Sequence, residues 1–402
     1  METSSSAFSY DRLFASTIPD PAEMRTVDRA KYDFAIAYPD PASVPAVDLA
    51  ECARLAILEE GSELAVYPHD HGYPPLREYV AYKMARDRGF TISADDVLLA
   101  DGSSQPNHIL IEALVDPGDV VLTEHFVYSG TLRTLARFQA DVRGVPTDEN
   151  GILPDALESA IVLAESHGRP PKVIYTIPTF QNPMGWTMSI ERRKAIIDIA
   201  LRHQIAIIED DCYVDLRYEG KTIPSIRSFD DAGVVSYVGS FSKITGPGMR
   251  LGYVIPPAEL TPRLRPIKSG GGVNQFAAWA IHRYAISHLD EHVKKINDIQ
   301  RIKRDTMLAA LGENLGSVAK WSHPEGGLYT WLEMPADADL TATQPEARTV
   351  DVGYQPGPMF APDGRTGNNF ARLCYGYNTP DEIREGIARL AEVFDRKGYL
   401  DA

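Results

Sequence analysis

Short apolar runs rich in Val and Ile alternate with stretches of helical period from about residue 75 to residue 255. Runs that stay apolar on both faces belong to strands covered on both sides, the pattern of a parallel sheet flanked by helices. The pattern predicts strands at 97–100, 120–124, 172–177, 205–209, 234–238 and 251–255, with helices that include 76–88, 107–115 and 190–203. From 276 to 314 the period is helical almost without a break, long enough to join two lobes. A last helix is expected to start at Thr379 as N-cap, with Pro380 in the first turn and Glu382 closing a capping box, and to run to about 397. Residues 335–349 lose the period and are expected to form a mobile loop. No internal repeat or low-complexity tract is visible.

At 402 residues, 44% of them hydrophobic, the chain exceeds what one core usually serves, so two lobes are expected. The expected division is an N-terminal arm, 1–49, packed on the smaller domain; a large domain, 50–294; and a small domain, 295–402. Charge narrows the partners: 56 acidic against 40 basic residues give a net −16, which disfavours nucleic acid and anionic membranes. Cys52, Cys212 and Cys374 lie far apart, which fits a reducing compartment rather than a disulfide framework. The polar N-terminus has no basic segment followed by an apolar one, and no membrane span is visible. A cytoplasmic location is expected.

Chemistry concentrates in Gly239-Ser240-Phe241-Ser242-Lys243 and the following Arg250. A lysine amine can form an imine with an aldehyde, and hydroxyls with an arginine fork suit a phosphate dianion. Pyridoxal 5′-phosphate (PLP) carries both groups. Other candidate segments also follow predicted strands: Gly102-Ser103-Ser104-Gln105, Glu124 to Tyr128, Pro178 to Pro183, and Asp210 to Tyr213. Ligands of open parallel sheets bind beyond the carboxyl ends of the strands, so these five segments are expected to converge.

This ordered set, from Tyr67 to Phe394, resembles the class I/II aminotransferases of the fold-type I PLP enzymes. Gly102-Ser103-Ser104-Gln105, Thr179 to Gly185, Glu209-Asp210-Asp211 and Pro324 to Tyr329 are closest to the aminoadipate/kynurenine aminotransferase branch. The resemblance implies an α/β fold: a mostly parallel seven-stranded sheet with helices on both faces, plus a smaller α+β domain. It implies that Lys243 holds PLP and moves the substrate α-proton, and that Asp210 faces the pyridine nitrogen. Asn182 and Tyr213 would bond the ring 3-oxygen, and Tyr128 would stack on the ring. Ser103, Ser104, Ser240, Ser242 and Arg250 would form the phosphate cup. Arg372 matches the arginine that grips the substrate carboxylate, with Asn182 and Tyr38 beside the substrate. Tyr67 matches a tyrosine that reaches the phosphate in the neighbouring subunit, which implies a homodimer with shared sites. The implied reaction moves an amino group between an α-amino acid and a 2-oxo acid. Amino-acid oxidation, cyclisation and β- or γ-elimination on the same scaffold are the alternative.

Several positions read in other ways. Ser240-x-x-Lys243 spells a serine-acylase motif, but its companion elements are missing. An effector-sensing domain of an aminotransferase-like regulator would follow a basic DNA-binding domain, whereas an acidic, Pro-containing arm precedes Leu49 here. Asp210-Asp211 and His69-Asp70-His71 are weak metal candidates, and no metal is expected. Asp211 is expected to tolerate Asn. Ile36-Ala37 stands where the branch usually has Gly-Gly, which would narrow the pocket. Gly270-Gly271-Gly272 is either a hinge or a close approach to ligand. Tyr38, Tyr329 and Tyr354 are expected near the mouth, pointing to a medium or large substrate, aromatic or dicarboxylic.

Overall fold

The structure is a computed structural model and describes residues 8–15, 17–18, 29–268 and 272–400. Its main sheet has seven strands: β1 (Leu98–Ala100), β2 (Val120–Glu124), β3 (Asp141–Val145), β4 (Pro171–Thr176), β5 (Ala206–Asp210), β6 (Val235–Ser240) and β7 (Gly252–Ile255). Their spatial order is β1-β7-β6-β5-β4-β2-β3. Only β7 runs against its neighbours β1 and β6; the other six strands share one direction. The two faces follow the strand period of two. Ile174 and Ile207 enter one apolar cluster, while Val173, Tyr175 and Ile208 enter the other.

The helices bearing on the argument are α1 (Ala46–Glu60), α2 (Pro74–Lys83), α3 (Ser104–Leu114), α4 (Ser129–Arg137), α5 (Pro154–Ser166), α6 (Ile190–His203), α7 (Gln275–Leu315), α8 (Leu340–Thr349) and α9 (Pro380–Arg396). The 41-residue α7 serves both lobes. Its Leu289 and Ile296 pack with the main sheet; its Met307 and Leu311 belong to a second core with Leu332, Leu373, Ile387 and Phe394. Tyr32 and Phe34 join that second core, and residues 32–33 pair with 352–353. A four-stranded sheet, β8 (Lys320–Trp321), β9 (Tyr329–Glu333), β10 (Gln355–Pro356) and β11 (Phe370–Cys374), in the order β8-β9-β11-β10, underlies the smaller lobe. The capping box of α9 is present: Thr379 accepts from the Glu382 amide, and Glu382 accepts from the Thr379 amide.

Two features depart from the sequence reading, and a third lies mostly outside the described residues. The segment expected to be a mobile loop contains α8, capped by Asp339 on the Ala342 amide and burying Leu340, Thr343 and Ala347. That helical stripe is hidden in the sequence by polar neighbours and Pro345. Strand β3 escaped notice because Asp141, Arg143 and Gly144 break its apolar character at the sheet edge. Of the Gly270-Gly271-Gly272 loop, residues 269–271 lie outside the described residues; a Cβ on Gly272 would meet the His69 carbonyl at 2.6 Å.

Candidate active site

Four of the five predicted segments line one cavity, and the fifth, Pro178 to Pro183, adjoins it through Asn182, whose Nδ2 donates to the Tyr213 hydroxyl at 3.4 Å. Ser103, Ser104, Tyr128, Ile177, Asp210, Cys212, Tyr213, Ser242, Lys243, Pro247 and Arg250 line one cavity beyond the carboxyl ends of β1, β2, β4, β5 and β6. Parallel direction is the reason: it puts the ends of distant chain segments on one edge.

At the floor, period two separates three consecutive acids. Asp210 turns toward the cavity, while Glu209 and Asp211 turn to the opposite face. There Glu209 accepts from the Ile226 and Arg227 amides, and Asp211 pairs with fully buried Arg88 and accepts from the Tyr237 hydroxyl at 3.1 Å. This corrects the expectation that Asp211 tolerates Asn: the substitution would strand a buried guanidinium. It also separates the proposed metal pair, and among the described residues no three His, Cys, Asp or Glu side chains gather as metal ligands. Asp210 is 3% exposed; its Oδ2 accepts from Asn107 Nδ2 and the Tyr175 hydroxyl, each at 2.7 Å, and its Oδ1 lies 2.6 Å from Cys212 Sγ. Burial raises its pKa, and the three donors oppose that rise. Sequence reading missed Asn107, Tyr175 and Cys212; only the inward face of the neighbouring strand and helix could have pointed to them.

Lys243 donates to the Ala37 carbonyl at 3.0 Å, and its amine lies 5.7 Å from the Tyr213 ring centre. Burial pushes the Lys243 amine below its usual range, with the Arg372 and Arg250 charges acting the same way. Tyr213 shares a 2.6 Å hydrogen bond with Tyr329 and meets Asn182 Nδ2 at 3.4 Å. Arg372, 2% exposed on β11, donates to Asn182 Oδ1 at 3.0 Å and to the Ala35 carbonyl at 2.5 Å. Its guanidinium lies over the Tyr329 ring, and its Nε has no hydrogen-bond partner. Backbone carbonyls only two residues apart thus meet Arg372 and Lys243, which makes the Ala35–Ala37 segment a wall of the site.

The other end is more open. Ser103 and Ser104 sit where α3 begins, its amides pointing outward. Arg250 holds the Asp101 carbonyl at 3.0 Å, and its side chain is 47% exposed. Gly102 has φ +67°, and a Cβ there would strike the Arg250 guanidinium at 2.7 Å. The positive φ favours glycine there, whereas the Arg250 tip could shift aside. Ser240 accepts from the Ser242 amide at 3.1 Å, bracing the turn that carries Lys243. Tyr128 lies over Gly130, where a Cβ would come within 2.4 Å of its ring.

Three tyrosines stand elsewhere. Tyr67 is 91% exposed. Tyr38 packs beside Tyr377 under the Arg29 guanidinium. Tyr354 is not at the mouth: it is fully buried in the second core, donating to the Leu340 carbonyl.

A buried acid, a buried lysine and an end formed by hydroxyls, helix amides and arginine match the pyridine nitrogen, aldehyde and phosphate of PLP. On this sheet they define a fold-type I PLP enzyme. Residues 38–390 match the aminotransferase class I and II family, and the chain belongs to it. Aromatic-amino-acid aminotransferase 1 of Thermococcus litoralis is 33% identical over 347 residues, 86% of this chain and 83% of that protein. The multiple substrate aminotransferase of Thermococcus profundus superposes with TM-score 0.91 at 29% identity, covering 97% of this chain and 99% of that one. The Pyrococcus horikoshii kynurenine aminotransferase, solved in complex with PMP, gives 0.87 at 31%, covering 91% of each. The protein is therefore a PLP-dependent aminotransferase, a transaminase acting on amino acids and 2-oxo acids. Among the described residues, no helix is long and apolar enough to cross a membrane.

Proposed function

We propose that Lys243 is the residue that holds PLP and carries the proton in transamination, that Asp210 faces the ring nitrogen, and that Arg372 receives the substrate α-carboxylate. The observation that carries this reading is the meeting of Lys243, Asp210, Ser103, Ser104, Ser242 and Arg250 in one cavity. When bound, PLP supplies an aldehyde that joins amines and a ring that accepts electrons. The protein's work is placement. Burial lowers the Lys243 pKa, which favours the free amine that would take a proton from the substrate α-carbon and return one. Tyr213 and Asn182 hold the ring oxygen, Tyr128 covers the ring, and the α3 N-terminus with Ser242 and Arg250 anchors the phosphate. Ser240 supports the lysine turn. Arg372 would receive the substrate carboxylate beside the Ala35–Ala37 segment, whose Ala35 carbonyl it now holds, with its unpartnered Nε still able to donate.

The proposed substrate is an amino acid with an aromatic or dicarboxylic side chain, as the aromatic surroundings of Arg372, Tyr329 and Phe360, support. Tyr38, next in the chain to the Ala37 carbonyl that meets Lys243, is proposed for the substrate side. The proposed assembly is a cytoplasmic homodimer in which exposed Tyr67 reaches the partner's phosphate end. The proposed divisions are an arm to residue 49, a large domain to 294 and a small domain to 402.

Borohydride reduction of the PLP-loaded protein followed by peptide mapping tests the lysine assignment. The expected label is on Lys243; a label on another lysine overturns it. Incubation with single amino acids and a 2-oxo acid then reads amino transfer. Reaction of alanine or glycine alone would reject the aromatic or dicarboxylic substrate. For the shared site, mixing inactive Tyr67→Ala and Lys243→Ala proteins should restore activity in mixed dimers, and a fully active monomer would end that part.

A further inference from the structure

Asp210 is held by residues outside the motif that marks it. Its Oδ2 accepts from Asn107 on α3 and from Tyr175 on β4, at 2.7 Å each. Both donors are buried, Asn107 to 5% exposure and Tyr175 to 1%. Neither touches Oδ1, whose neighbour is the Cys212 thiol, and Asp210 and Cys212 both line the cavity.

Packing alone does not account for Asn107. Its Oδ1 is buried without a partner, a state that costs stability and that a leucine of similar size would avoid. Its NH₂ group donates to Asp210. The Tyr175 hydroxyl meets the same oxygen from the strand beside β5. A carboxylate buried next to Asp211 tends to take a proton, and donors on it oppose that.

We propose that Asn107 and Tyr175 are positioning residues for the cofactor ring: by occupying Oδ2 they leave Oδ1 as the oxygen that meets the ring nitrogen. This rests on the reading of Asp210 as the ring-nitrogen partner. The two donors also oppose the upward push that burial gives the Asp210 carboxyl, and so favour its charged form, the form that would hold a protonated pyridine. Helix α3 adds a constraint of length. It begins at Ser104 beside the phosphate end and carries Asn107 three residues, about 4.5 Å of axial rise, further on. One rigid element therefore sets the separation between the phosphate end and the acid.

The test compares two ligands on the full-length protein freed of cofactor: PLP, and its carbocyclic analogue with C–H in place of the ring nitrogen. Equilibrium titration gives the ratio of their dissociation constants, and thermal unfolding is measured alongside. The unaltered protein should prefer PLP. Tyr175→Phe and Asn107→Leu should each reduce that preference about tenfold, the loss expected of one hydrogen bond to a charged group, while affinity for the analogue stays constant. Both variants remove a donor from a buried carboxylate, so any fall in melting temperature is read separately from the ratio of the two affinities. No preference in the unaltered protein would reject Asp210 as the ring partner. A preference that persists in both variants, or an equal loss for both ligands, would overturn the positioning role. Should Asn107→Leu fail to fold, Tyr175→Phe, which removes one oxygen, decides the matter alone.

Discussion

The two ends of the cavity solve opposite problems. At the phosphate end Arg250 is half exposed, and serine hydroxyls and helix amides face a site that water can also enter. At the ring end Asp210 is buried, and behind its strand Asp211 and Arg88 form an ion pair shut away from solvent. A solvated charge can lose a partner and be rehydrated. A buried one cannot, so deletion at the inner end leaves an uncompensated group. The comparison teaches that the same kind of substitution, one polar group removed, should cost most where the sheet is deepest.

The largest effect expected is on turnover. Asp210→Asn should slow amino transfer by about three orders of magnitude or more while PLP still binds, because a neutral amide cannot hold the ring nitrogen protonated. Stopped-flow half-reactions with a single amino acid measure it. Near-normal rates would erase the contrast between the ends.

Next is Asp211→Asn, which leaves Arg88 charged and buried. Unfolding in urea should reveal a loss of about 3–5 kcal/mol, with a smaller effect on cofactor affinity. An unchanged midpoint would mean that Arg88 finds another partner on that face.

The same rule applies to a buried acid away from the ring. Glu124 at the end of β2 is fully buried; its Oε1 accepts from Thr176 and the Ile177 amide, and its Oε2 has no partner. Burial raises its pKa from 4.5 to about 7. Its folded pKa lies above the unfolded one, so its contribution is whole below 4.5 and is lost as pH rises through about 7. Glu124→Gln removes the ionisation and should gain about 3 kcal/mol at pH 8 relative to pH 4.5. Parallel pH profiles of unfolding for the two proteins would contradict it.

The smallest effect belongs to the open end. Arg250→Ala should weaken PLP binding about tenfold, since hydroxyls and amides remain to hold the phosphate. Spectroscopic titration of the cofactor reads it. Complete loss of binding would make the outer end as demanding as the inner one.

Much of this was legible in the chain. Strand periodicity located six of the seven sheet strands, because covered strands must be apolar on both faces. Local rules gave the α9 cap, where Thr379 and Glu382 satisfy each other's backbone within four residues. Motif order marked the residues of the cavity, since chemistry fixes residue type at strand ends. Helix α8 was not legible: its three buried positions count only because a second core lies beneath them.

The sequence by itself therefore determined the alternation of strand and helix, the two-lobed size, and which lysine, acid and arginine are the candidates for the site. Tertiary structure decided what depends on neighbours distant in the chain. Adjacent acids acquired opposite duties because a strand turns Asp210 to one face and Asp211 to the other. Tyr354 became core rather than mouth, and Asn107 and Tyr175 gained a purpose once α3 and β4 packed around the same carboxylate. Burial and partnership are properties of three-dimensional neighbours, and no spacing along the chain contains them.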